Sequence, residues 1–227
     1  MGLVRKEFLL EIGCEEIPAR AMRGALHDLK EQFLMLLDEE KLPHAGVTTL
    51  GSARRLVVHV AELAEGQESR TETKLGPPKR IAFQDGKPSK ALQGFAQKSG
   101  VTVETLDVIE TERGEYMGFE HRIGGKTAFE ILSVRIPDIV ASLSFPKMMY
   151  WTGSRERFAR PIRWVLALLD GTMVPIELFG VNSGSVTNGH RILGQASIAV
   201  DSFEDYVRKL QNNFVLVSEE SRKLKVV

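Results

Sequence analysis

Residues 151–179 read WTGSRERFARPIRWVLALLDGTMVPIELF. Two apolar runs, 165–169 and 173–179, flank Asp170-Gly171. An Asp-Gly pair in that setting predicts a hairpin, because a type I′ turn needs positive φ at both central residues. The first run is apolar on both faces, which predicts a strand buried on both sides. Pro175 lacks an N–H and sends the return strand to a sheet edge or a bulge. Directly before the first run, Arg155, Arg157, Arg160 and Arg163 stand between Trp151 and Trp164. These arginines are therefore expected just outside a buried strand, on a mount that can hold them still. Pro161 fixes its own φ and keeps Ala159-Arg160 extended. Alternation along an extended segment then puts Arg157 and Arg163 on one side and Arg160 on the other. Arg157 and Arg163 become a candidate anion-facing pair, and Arg160 a candidate structural ion-pair partner.

Working outward, Phe8, Leu10 and Ile12 predict a first strand, and Pro18 opens a helix that runs to about residue 39. Met22, Ala25, Leu26, Leu29, Phe33, Leu36 and Leu37 make its apolar face. Glu15 and Glu16 precede the helix, where its dipole favours acids. Strands near 47–50 and 54–63 complete a β-α-β-β unit over residues 1–64. Residues 65–74, EGQESRTETK, are polar and read as a linker. Residues 75–143 are expected to form an α+β lobe of their own. It would hold a turn around Asp85-Gly86, a helix capped by Ser89 and stopped by Gly100, and two strands joined around Arg113-Gly114. A further helix opens on the capping box Thr127…Glu130 and breaks at Ile136-Pro137, where Pro137 can open a further turn of helix to Leu143. Residues 144–217 carry the arginine stretch and the hairpin, and are a candidate to pack with 1–64. Residues 218–227 begin a helix barely two turns long, as in a fragment of a longer chain. The fold class expected is α+β, with mixed and antiparallel sheets, flanking helices and two packed lobes.

Lysine and arginine total 30, aspartate and glutamate 30, so the net charge is zero and only a local basic patch is available for a polyanion. Cys14 is the single cysteine, which excludes an internal disulfide and suits a reducing, cytoplasmic setting. No apolar run reaches the length of a membrane span, and MGLVRKEFLLEIG is too short in its apolar part for a signal peptide. The histidines have no ligand spacing, so no metal site is expected. Glycine-rich nucleotide loops and a nucleophile elbow are missing, and no catalytic residue is assigned. Cys14 at a helix start has no local histidine to activate it.

Two readings of the arginines stand side by side. One is internal ion pairing, to Glu156 and to acids elsewhere. The other is phosphate binding, because guanidinium forks match phosphate oxygens and Trp or Phe can stack on bases. Arg54 and Arg55 at a strand start, and His190 and Arg191 in a shaped loop, join Arg157 and Arg163 as candidate RNA-binding residues.

Five stretches taken together resemble the β subunit of bacterial heterotetrameric glycyl-tRNA synthetase. They are LLEIGCEEIPA from Leu9, SARRLVV from Ser52, GPPKRIAFQDGKPSKALQGFAQKSGV from Gly76, RFARPIRWVLALL from Arg157 and NGHR from Asn188. The family usually has Thr where Cys14 stands, Thr-Pro at Ser52-Ala53 and Arg at Tyr150. The resemblance implies the N-terminal third of that subunit, whose part in the enzyme is tRNA recognition. ATP, glycine and magnesium would then belong to the α subunit, with no cofactor in this chain and no aminoacylation by it alone. The implied partners are the α subunit and tRNA-Gly, with no membrane and no DNA. A purely structural module that docks the α subunit without touching RNA is the alternative.

Overall fold

The computed structural model describes residues 5–68, 70–84, 87–111, 114–123, 125–151 and 157–226. Asp85, Gly86, Arg113, Arg155 and Glu156, named above, lie outside them. Contacts divide the chain into two units, residues 1–67 with 126–227, and residues 68–125.

The first unit is built on a seven-stranded mixed sheet. Its centre pairs β1 (Arg5–Cys14) with the strand Ile162–Leu169 on one side and with β3 (Arg55–Ala64) on the other, both antiparallel. β2 (Gly46–Ser52) closes one edge against β3. Beyond Ile162–Leu169 the sheet continues with Val181–Gly184, in parallel, and Glu177–Leu178. The Asp-Gly hairpin forms as the sequence requires. Asp170 and Gly171 have φ of 51° and 75°, and Ile162–Leu169 pairs back with Thr172–Met173. That return strand is only two residues long, ending ahead of Pro175.

Both faces of the sheet are covered. On one, α1 (Ala19–Glu39) buries Ala21, Ala25, Leu29, Phe33, Leu36 and Leu37. The helix Ala128–Ser142 shares that core through Ile131, Leu132, Ile136 and Val140. On the other face, Leu9, Val57, Leu166 and Leu168 meet Tyr206 and Leu210 of the helix Phe203–Asn212, with Val215 and Val217. This is why residues 165–169 are apolar throughout.

The second unit is a three-stranded antiparallel sheet, in the order Arg70–Pro78, Gly114–Ile123, Asp107–Thr111. Leu92 and Ala96 of the helix Lys90–Ser99 pack with Leu106, Met117 and Phe119. Ser89 accepts from Leu92 N–H, and Gly100 ends the helix at φ 70°.

Three expectations change. Residues 70–74, read as linker, form the first part of an edge strand, because pairing with Gly114–Ile123 satisfies backbone groups that a polar composition leaves undecided. The helix Ala128–Ser142 is continuous across Pro137, with no break at Ile136-Pro137. Burial of Ile136, Ile139 and Val140 on either side of the proline outweighs the one backbone bond that it removes. Those same side chains bring residues 128–142 into the core of the first unit, whereas the sequence reading ran the second lobe to 143.

Candidate nucleic-acid interface

At the end of β1 the side chains change from apolar to ionic along one face. Leu9, Glu11 and Gly13 follow at the two-residue period of a strand. Glu11 is fully buried, and so is Arg55 at 2% exposure; they meet at 3.0 Å. Thr187 donates its hydroxyl to Glu11, and Arg55 donates from Nη2 to the Asn188 carbonyl at 2.9 Å. The Tyr206 hydroxyl lies beside the pair, and burial, reinforced by the Glu11 charge, pushes its pKa well above the usual range. Arg55 is therefore core structure. Its candidacy as an RNA contact is corrected: a guanidinium this deep, committed to Glu11 and to a backbone carbonyl, has no surface to offer.

Gly13 pairs with Arg55 on one side and Trp164 on the other. The indole lies flat against its backbone, so that a Cβ at Gly13 would come within 1.9 Å of the ring. The guanidinium groups of Arg54 and Arg55 lie 5.6 and 5.5 Å from the indole centroid, within cation–π range. Cys14 N–H donates to the Arg54 carbonyl and Glu15 N–H to the Pro161 carbonyl. Glu15 is thereby held between the β2–β3 turn, which carries Arg54, and the start of Ile162–Leu169, which carries Arg163.

A cleft of about 330 Å³ is lined among others by Arg54, Arg163, Trp164, His190 and Arg191. Three sequence-distant segments converge there. Arg54 and Arg163 reach Glu15 at 3.5 Å, and Arg191 approaches Glu15 at 4.0 Å and Glu16 at 3.8 Å. These contacts are longer than the 2.7–3.2 Å of a formed hydrogen bond. Three guanidinium groups thus share one central carboxylate without being saturated by it. Two donors in the lining, Arg54 Nε and Trp164 Nε1, are buried and unpartnered among the described residues. Shielded as they are, these two donors belong to the floor of the cleft; an acceptor-rich group such as phosphate would meet the exposed guanidinium groups of Arg163 and Arg191.

The loop that brings His190 and Arg191 is tied down by backbone bonds. Gly189 N–H donates to Gln195, His190 N–H to Asn213 and Gly194 N–H to His190. A Cβ at Gly194 would come within 2.4 Å of the His190 nitrogen, so the glycine is required. His190 Nδ1 accepts from the N–H groups of Ile192 and Leu193, which leaves Nε2 as its donor.

The remaining candidates lie elsewhere. Arg157 sits over the Tyr150 ring at 5.8 Å, outside the cleft. Phe158 and Ala159 are buried in succession, so the alternation expected between Arg157 and Arg163 is lost and the two do not line one cleft. Arg160 donates from Nε to the Glu16 carbonyl at 2.8 Å, so among the described residues a backbone oxygen ties it to the fold. Burial pushes the Cys14 thiol up to about 12, despite Arg54 and Arg55, which leaves it protonated and unreactive. No group of three or more metal-ligating side chains occurs among the described residues, and no helix is long and apolar enough to cross a membrane.

The sequence reading missed Glu15 as the centre of this cluster. Its position before α1 already had an explanation in the helix dipole, yet the helix begins only at Ala19. Trp164 lines the cleft because its ring packs against Gly13, a neighbourhood that only the three-dimensional structure shows.

Comparison with known proteins sets the chain among aminoacyl-tRNA synthetase subunits. The family described as "Glycyl-tRNA synthetase beta subunit" matches residues 8–227, and the chain belongs to it. Curated relatives carry the name "Glycine--tRNA ligase beta subunit". The chain is 39% identical over 218 residues to the one from Syntrophus aciditrophicus, 40% over 219 to that from Trichlorobacter lovleyi and 41% over 219 to that from Moorella thermoacetica. Each alignment covers 96% of this chain and 32% of the relative, so the chain spans about a third of their length.

Proposed function

We propose that this chain is the N-terminal part of the tRNA-recognition subunit of glycine–tRNA ligase, and that the arginine cleft binds phosphates of tRNA-Gly. The observation that carries the reading is the convergence of Arg54, Arg163 and Arg191 on one under-saturated carboxylate. Phosphate contacts of this kind position a nucleic acid without reading its sequence. ATP-dependent attachment of glycine is then the work of the α subunit, which would hold ATP, glycine and magnesium in a cytoplasmic heterotetramer. This chain alone is expected to give no glycine-dependent ATP–pyrophosphate exchange.

Backbone cleavage footprinting of tRNA-Gly with the 227-residue chain tests the proposal. Protection is expected in wild type and is expected to fade in the Arg54→Ala/Arg163→Ala/Arg191→Ala chain. Equal protection by both would favour a chain whose arginines serve internal ion pairs and whose surface docks the α subunit.

A further inference from the structure

A second cleft, of about 280 Å³, opens on the other side of Arg163. Arg163 lines both. The walls differ in kind. Where the first cleft is cationic, the second is built mainly of Trp151, Phe158, Pro161, Ile162, Phe179 and Val181. Its size is near the ~300 Å³ lower end of small-molecule pockets.

Two of these walls are fixed in place, Trp151 by a hydrogen bond and Phe179 by its turn and by packing against the sheet core. The Trp151 indole N–H donates to the Phe158 carbonyl at 2.9 Å, which holds a 37% exposed ring in place. Phe179 is the first residue of a two-residue loop between Leu178 and Val181, with φ of 54°, followed by Gly180 at 82°. Such a turn favours Asn or Gly at its first position, and a bulky aromatic residue at positive φ is an outlier. Strain of that sort gathers at functional sites. Here it sets the Phe179 ring beside Phe158, with centroids 5.5 Å apart, on the wall of the cleft.

We infer that the second cleft receives an unpaired base of the RNA, whose adjoining phosphate lies on Arg163 in the first cleft. The inference rests on the phosphate reading of the arginine cleft. An aromatic and proline wall takes any base by its π-face, without sequence preference. A duplex keeps its bases stacked inside, whereas unpaired segments can splay them outward. An apolar side chain of a protein partner would also fit the walls. The shared Arg163 favours RNA, because a nucleotide joins a flat apolar group to an anion at the distance of one residue.

Three fluorescent probes presented to the 227-residue chain test this. They are a short single-stranded RNA, the same RNA annealed to its complement, and the same single strand with abasic residues that keep every phosphate. The intact single strand is expected to bind about tenfold tighter than either of the others. Trp151→Ala is expected to bring it down to the abasic level and to leave the duplex and abasic affinities unchanged. Equal affinity of intact and abasic strands, with both weakened by Arg163→Ala, overturns the base cleft and leaves the phosphate reading standing. That comparison uses the wild-type chain, so it holds even where Trp151→Ala misfolds. Absence of salt-sensitive binding of any probe overturns the phosphate reading, and the base cleft with it.

Discussion

Glu11 with Arg55, and Glu15 with Arg54, are the same residue types, the glutamates four positions apart and the arginines adjacent in sequence. The first pair is sealed, at 0% and 2% exposure, with carboxylate and guanidinium 3.0 Å apart. The second is only partly buried, at 31% and 19% exposure, its contact is 3.5 Å, and two more arginines, both exposed, approach the same carboxylate. Depth, not chemistry, separates a structural role from a binding one. A buried charge must keep its partner, because removing either leaves an uncompensated ion in the core. A surface cluster gains little from its internal pairs and can exchange them for a phosphate.

The comparison breaks most sharply at Glu11. Glu11→Gln or Arg55→Ala leaves the other partner charged and buried, and is expected to cost about 3–5 kcal/mol in urea unfolding. A loss of only a few tenths would mean that water reaches the pair and that the contrast in depth is false. Next comes Gly13→Ala. With Trp164 carbons within 1.9 Å of the new methyl, the indole must move, at an expected cost of about 1–3 kcal/mol. Tryptophan fluorescence should shift with it.

Glu15→Gln sharpens the contrast from the other side. The same chemical change that strongly destabilises the buried pair is expected here to leave stability within about 0.5 kcal/mol. It should tighten tRNA-Gly binding, because one competing charge leaves a cleft of three arginines. Weaker binding would make Glu15 a contact rather than a counterion. The smallest effect concerns pH. Burial lowers the His59 pKa below 6.5, although Glu7 opposes the shift, and the ring stacks on Phe203 at 3.8 Å. The unfolded chain therefore takes up the proton first. The stability from neutral His59 is complete above about 6.5 and is lost as pH falls from there through the folded value. His59→Gln should flatten the stability profile in that window.

Much of the scaffold could be read in the chain. The period-two and period-3.6 patterns gave β1 and α1, and Asp170-Gly171 gave its hairpin, since those signals are local. Pro137 misled, because the burial that carries the helix past it comes from partners far away in sequence. Polar residues 70–74 misled too, since an edge strand needs little apolar surface. Of the site, the residue types were legible but the grouping was not. Arg54, Arg163 and Arg191 lie in three segments that only the sheet brings together, and nothing local distinguishes Arg54 from its buried neighbour Arg55. Arg157 and Arg163 looked paired because extended geometry was carried across residues 158–160, where the chain turns its side chains inward twice in succession.

An arginine cleft that holds RNA phosphate is tested by the salt dependence of tRNA-Gly binding, measured for wild type and Arg163→Ala from about 50 to 200 mM salt. A phosphate contact releases counterions, so the slope of log affinity against log salt should be shallower by about 1 in Arg163→Ala. The melting temperature should stay unchanged, because Arg163 is exposed. An identical slope in both chains, or wild-type binding indifferent to salt, would contradict an arginine cleft that holds RNA phosphate.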